Sequence, residues 1–180
     1  KLGIHFKSAK IRGGVIENIS IRDVTMENVE RPLNFEMNWY PAYSLPTLPP
    51  ELQHTKNPAH WAVLLQPVLP ANRGIPEVRN ISITNLKATG AKIAFAVNGF
   101  PDKPIRDVRL ANIEIAAASA GRINHAADWQ LTDVVVNAAD RKPVSLLNCR
   151  SVDAAQILSP VKRADAAASR PKLSQLQLAQ

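Results

Sequence analysis

From Ile16 the apolar positions fall at Ile16, Ile19, Ile21, Val24, Met26 and Val29, at offsets 0, 3, 5, 8, 10 and 13. The same offsets recur from Val78 (Val78, Ile81, Ile83, Leu86, Ala88, Ala91) and from Ile105 (Ile105, Val108, Leu110, Ile113, Ile115, Ala118). A shorter fourth copy reads as Leu131, Val134, Val136 and Ala139. A helix needs steps of three and four throughout; here each i, i+2 pair is a short strand fragment followed by a bend. The bends carry Asn18, Asp23 and Asn28, then Asn80 and Asn85, then Asp107 and Asn112, then Asp133. Asn and Asp tolerate left-handed backbone and hydrogen-bond nearby amides, so they turn corners.

Each copy is followed by a short alternating strand, starting at Leu33, Ile93, Ile123 and Val144. Residues 4–7 (Ile4, His5, Phe6, Lys7) fit as the same strand of a preceding repeat. Copies at 78, 105 and 131 lie 27 and 26 residues apart. Repeats of that length, each with several short strands, predict an all-β chain: a right-handed parallel β-helix of about four to five coils. A leucine-rich repeat shares the 0, 3, 5 spacing, but its period is more even and its asparagine sits at one fixed place, so it ranks second.

The first interval, 16 to 78, is longer by the stretch 39–75, which holds Pro41, Pro46, Pro49, Pro50, Pro58, Pro67 and Pro70. So many prolines predict a loop insertion on the flank of the stack. With Trp39, Tyr40, Tyr43 and Trp61 it is either a packed lid or the wall of a cleft. The coils are expected to span 1–153. The Ala/Gln-rich tail, 154–180, is expected to be a short capping helix or disordered. The chain opens on Lys1 and enters a strand pattern at once, with no signal segment, so it is expected to begin inside a longer repeat.

Hydrophobic residues make up 46% and aromatics 5%, so the core is aliphatic. No apolar run approaches bilayer-spanning length, and no membrane partner is expected. The net charge of +7 suits a polyanion. The bases are scattered rather than striped and aromatics are few, which disfavours nucleic acid and leaves acidic polysaccharide. Cys149 is the one cysteine, so no internal disulfide forms; it reads as a small buried hydrophobe. His54, His60 and His125 lack partners at metal-ligand spacing, so neither a metal nor a cofactor is expected.

Alternation in the first strand turns Ile4 and Phe6 inward and His5 and Lys7 outward. The same outward columns are expected to continue through Asn34 and Glu36, then Ala94 and Ala96, then Asn124 and Ala126. That face would be polar at its start and bland after two coils, placing a site beside the Trp39/Tyr40 loop.

The segment KLGIHFKSAKIRGGVIENISIRDVTMENVERPLNFEMNWYPAYS resembles the C-terminal half of glycoside hydrolase family 28, the polygalacturonase-type pectinases, in its Arg-Gly-Gly, Met-Glu-Asn-Val and Asn-Trp-Tyr-Pro phrases. The later VRNISITNLKATGAKIAFAVNGFPDKPIRDVRLANI is similar to the same family, and the resemblance covers about residues 1–150. It implies a right-handed parallel β-helix, inverting hydrolysis of pectin or oligogalacturonide, and export to the periplasm or cell exterior. By position, His5-Phe6-Lys7 matches the family's Arg-Ile-Lys substrate motif, with Lys7 at the carboxylate-binding lysine. Tyr40 matches the tyrosine of the sugar subsite. His5 replaces an arginine, forfeiting a permanently charged bidentate fork.

The family's acids lie in Asn-Thr-Asp, Asp-Asp and Gly-His-Gly motifs, none of which occurs in these 180 residues. Inversion needs two carboxyl groups about 6.5–9.5 Å apart. Glu36 is the one acid placed on the polar face, so the chain alone is not expected to turn over pectin, and no catalytic residue is assigned. The substrate-binding candidates are His5, Lys7, Asn34, Glu36, Trp39 and Tyr40. Two alternatives stand beside this reading. One is a non-catalytic β-helix that binds acidic polysaccharide. The other is a structural fragment whose unpaired first strand associates with an N-terminal β-helix half.

Overall fold

The fold was obtained as a computed structural model, which describes residues 1–39 and 68–159 and the isolated positions 50, 54, 56, 59 and 66. Tyr40, Tyr43, His60, Trp61 and most of the proline-rich stretch lie outside the described residues, as does the chain from 160 on.

The described chain is mostly strand with almost no helix. In order, the strands are β1 (Leu2–Lys7), β2 (Val15–Glu27), β3 (Arg31–Glu36), β4 (Glu77–Asn98), β5 (Ile105–Asn124), β6 (Ala126–Ala127), β7 (Gln130–Ala138), β8 (Ser145–Leu147) and β9 (Ile157–Leu158). All nine join one sheet, and every pairing between them is parallel. An all-β chain with parallel pairing is the architecture.

The repeat read from the sequence is the pairing register. Ile19, Ile81 and Val108 align across β2, β4 and β5, and so do Ile21, Ile83 and Leu110. Val24, Leu86, Ile113 and Val134 align in turn, as do Met26, Ala88, Ile115 and Val136. These stacked positions build the core, in which Ile83, Phe95, Ile105, Ile115, Ile123 and Val134 are fully buried. Phe6 packs on Phe35 with ring centroids 4.8 Å apart, and Trp129 reaches Phe35 at 6.1 Å. Trp129 is buried, with its indole N–H donating to the Ile105 carbonyl at 2.9 Å. Cys149 is half-buried rather than buried, lying against the core with Sγ 3.4 Å from the Ile123 carbonyl.

The corner reading holds at every residue named for it. Asn18, Asp23, Asn28, Asn80, Asn85, Asp107, Asn112 and Asp133 all have positive φ, between 51° and 59°. Their side chains stack as well as bend. The Asn80 carboxamide donates to Asn18 Oδ1 at 2.6 Å, that of Asn85 to Asp23 Oδ1 at 2.8 Å, and that of Asn112 to Asn85 Oδ1 at 2.9 Å. Above Asn28 the stack continues through Gly90, φ +67°, where a Cβ would run into the Asn28 side-chain oxygen.

Three expectations are corrected. The fourth repeat begins at Ala126, which pairs with Ile105, so Leu131 aligns with Leu110 and not with Ile105. Trp129 holds the place that the apolar pattern had left vacant, because an aromatic was not counted among its aliphatic positions. Second, the pairing slips between Ala88 and Ala91, so Ala117 rather than Ala118 faces Ala91, and Ala138 in turn faces Ala117. The cause is the extra residue accommodated at Gly90. Third, the strand pattern does not stop at 153. A 3₁₀ turn at Ala154–Gln156, capped by the Asp153 side chain accepting from the Ala155 N–H, leads into β9, which pairs with Val134 and Val135.

Candidate functional site

β1, β3, the end of β4, the end of β5 and β8 lie side by side and form one face of the sheet. His5 pairs with Asn34, then Ala96, Arg122 and Ser145 in successive strands. Lys7 pairs with Glu36, then Asn98, Asn124 and Leu147. The expected columns through Ala94, Ala96, Asn124 and Ala126 were therefore out of register. Aligning strands on their first apolar residue matched Ile93 to Leu33, whereas Phe95 is the partner of Leu33. Ala94 is fully buried and Ala126 belongs to the next repeat. The face is polar along more of its length than expected, with Asn98, Arg122 and Asn124 on it.

At its start, the Lys7 ammonium sits 3.8 Å from the centroid of the Trp39 ring, a cation–π geometry. Trp39 is held there by its backbone N–H, which donates to the Ser8 carbonyl at 2.9 Å, while the Ser8 N–H donates to the Glu36 carbonyl. The ion contact made by Glu36 is with His5, Nε2 to Oε2 at 3.7 Å, and not with Lys7. Burial pushes the His5 imidazole below its ordinary pKa; the charge of Glu36 opposes this, and those of Lys7 and Arg31 add to it. A neutral imidazole at pH 7 follows. Asn34 shares the outward column but is only 1% exposed, contrary to the expectation of an open polar position.

Three buried polar atoms in this region have no hydrogen-bond partner: His5 Nε2, Asn34 Nδ2 and Arg31 Nε. Buried polar atoms are normally satisfied, so a cluster of orphans marks a place where a ligand or water completes the bonding. Arg31 opens β3 and, together with Asn98, Ser119, Gly121 and Arg122, lines a pocket of about 420 Å³. Neither arginine was singled out from the sequence. Arg122 was hidden by the misaligned column, and Arg31 precedes the alternating residues from which the face was read. Of the candidates, the structure brings His5, Lys7, Asn34, Glu36 and Trp39 together; Tyr40 lies outside the described residues.

A second charged cluster belongs to the stack. Glu77 lies 2.8 Å from both Arg79 and Arg106, Arg79 continues to Glu17 at 2.7 Å, and Arg106 to Asp107 at 2.6 Å. Burial raises the Glu77 carboxyl, but the hydrogen bond from Arg106 and the charge of Arg79 outweigh it and leave the group below its ordinary pKa. Lys103 adds a longer ion contact to the same carboxylate at 3.9 Å. Among the described residues no group of three or more His, Cys, Asp or Glu is placed to hold a metal ion, and no helix is long and apolar enough to cross a membrane.

Chemically, the polar face offers cations, amides and an aromatic surface around one carboxylate. That set can hold an anion, and among the described residues Glu36 is the acid on this face. No family model, curated protein or solved structure matches the chain.

Proposed function

We propose that the chain is the C-terminal part of a polygalacturonase-like glycoside hydrolase, and that its polar face binds the carboxylates of an acidic, pectin-type polysaccharide. The finer fold reading belongs to the same proposal: a right-handed parallel β-helix. It is supported by stacked left-handed corners and by parallel pairing between residues one repeat apart, since parallel crossovers in one sheet are right-handed almost without exception. The observation that carries the functional reading is Lys7 poised over Trp39 on that face. An ammonium beside an aromatic plane supplies both halves of uronate recognition, a charge for the carboxylate and a flat apolar surface for the ring.

The family resemblance of residues 1–150 supports the same substrate class, and with it an exported location. In this chain the role is substrate binding. Hydrolysis would need acids that the quoted family motifs supply and these residues lack. Affinity electrophoresis through gels containing polygalacturonate tests this: retardation is expected for the native chain and is expected to weaken in Lys7→Ala. Equal mobility with and without the polymer would remove the reading.

A second reading has its own observation. Among the described residues β1 and β2 are each paired on one side only, and Ile16, Ile19, Ile21 and Val24 beside that edge are only partly buried, with Val15 49% exposed. Such an edge accepts another parallel strand, which would make the chain a structural partner for a further β-helix segment. Light scattering that shows a stable monomer at high concentration would count against it.

A further inference from the structure

Arg79, Arg106 and Arg150 each have a carboxylate within ion-pair distance. Arg31 and Arg122, like Arg22 and Arg109, carry no ion pair among the described residues. Arg31 and Arg122 both line the pocket of about 420 Å³, and none of its described lining residues is acidic. Two unneutralised guanidinium groups beside one cavity repel each other, an arrangement that an anionic ligand relieves.

The pocket's other polar groups are the Asn98 carboxamide and the Ser119 hydroxyl, which suit sugar hydroxyls rather than a second charge. Arg31 Nε is buried without a partner, so a donor is already desolvated at the rim. Gly121 in the wall packs tightly on the neighbouring strand: its φ is +78°, and a Cβ there would strike the Phe95 carbonyl and the Ile93 side chain. The volume is ample for one hexuronate ring in a half-open cleft.

We propose that this pocket is a second uronate subsite, in which Arg31 and Arg122 take the carboxylate and Asn98 and Ser119 take ring hydroxyls. It rests on the acidic-polysaccharide reading above and adds a place along the polymer. Lys7 lies on β1 and Arg122 on β5, three strand spacings apart through β3 and β4. At about 4.8 Å per spacing that is roughly 14 Å, a span for a short oligomer rather than one sugar. Two subsites on one chain of sugars raise overall affinity through effective concentration.

Titration of the ¹⁵N-labelled chain with sodium galacturonate reads the two sites separately, through the backbone amides of Ala96, Asn98 and Gly121 and through the Trp39 indole N–H. Saturable shifts are expected at both. Arg122→Gln, an exposed side chain whose loss leaves the core intact, is expected to weaken the pocket response at least about tenfold while the Trp39 response keeps its midpoint. Preserved spectral dispersion shows that the variant is folded. Shifts at Trp39 with none at Gly121 overturn the second subsite and leave the wider reading in place; shifts at neither overturn both. A pocket response to inorganic phosphate as strong as that to galacturonate overturns the sugar assignment in favour of an unselective anion site.

Discussion

Replacing Asn85 separates the two jobs done by a corner residue. Its carboxamide donates to Asp23 Oδ1 at 2.8 Å and accepts from Asn112 at 2.9 Å, and its backbone sits at φ +55°. Asn85→Gly keeps the backbone comfortable and removes both hydrogen bonds. Exposed bonds lie toward the lower end of about 0.5–1.5 kcal/mol each, so a loss of roughly 1–2 kcal/mol is expected. Asn85→Ala removes the same bonds and keeps a Cβ at a left-handed backbone that asparagine tolerates through local hydrogen bonding and alanine does not, about 1–2 kcal/mol more than the Gly variant, for a total of roughly 2–4 kcal/mol. Urea unfolding followed by circular dichroism measures both, the midpoint falling in the order native, Gly, Ala with the slope unchanged. If the two variants unfold together, the strained corner contributes nothing. If both stay within about 0.5 kcal/mol of the native chain, the ladder itself is ornamental and the reasoning fails.

Three further outcomes follow from particular contacts. Burial holds the His5 pKa below its ordinary 6.5 with Glu36, Lys7 and Arg31 facing it, so the unfolded chain takes up the proton first. The stability tied to His5 is whole above that value and is lost as pH falls through the folded pKa; calorimetric Tm should fall as pH is lowered below the ordinary histidine range, and His5→Gln should flatten that slope. An unchanged slope would contradict it. Trp129→Phe deletes the indole donor to the Ile105 carbonyl and is expected to cost about 1–3 kcal/mol in chemical denaturation, and a neutral result would show the bond to be idle. Gly121→Ala forces a Cβ onto the Phe95 carbonyl at φ +78° and should cost at least about 1–3 kcal/mol by the same assay; native stability would show that the strands part without strain.

The repeat was legible because burial imposes it. Ile21, Ile83 and Leu110 recur at fixed offsets since each must stack on the last, and Asn18, Asn80 and Asn85 recur because few other residues accept the corner backbone. Register was harder. A parallel strand shifted by two residues keeps the same in-out alternation, so matching Ile93 to Leu33 looked as good as matching Phe95, and only the pairing decides. That shift concealed Arg122. The slip at Gly90 was illegible for a similar reason, as an alanine run offers no size contrast between Ala117 and Ala118.

The site was legible at its start and not beyond it. His5, Lys7 and Glu36 declared themselves by standing at outward positions of short apolar strands. Their pairing did not: Glu36 neighbours His5, while the Lys7 ammonium lies over Trp39, and alternation along a strand does not decide between the two. The burial of Asn34 had no sequence signal at all, because an asparagine between Leu33 and Phe35 reads as outward and open.

The most direct measurement of the central claim is equilibrium binding of the chain to polygalacturonate and to the same polymer fully methyl-esterified, each at low and moderate salt. Recognition of carboxylates by Lys7, Arg31 and Arg122 predicts binding to the acid form that weakens as salt rises and disappears on esterification. Equal binding to both polymers, or binding to neither, would contradict it.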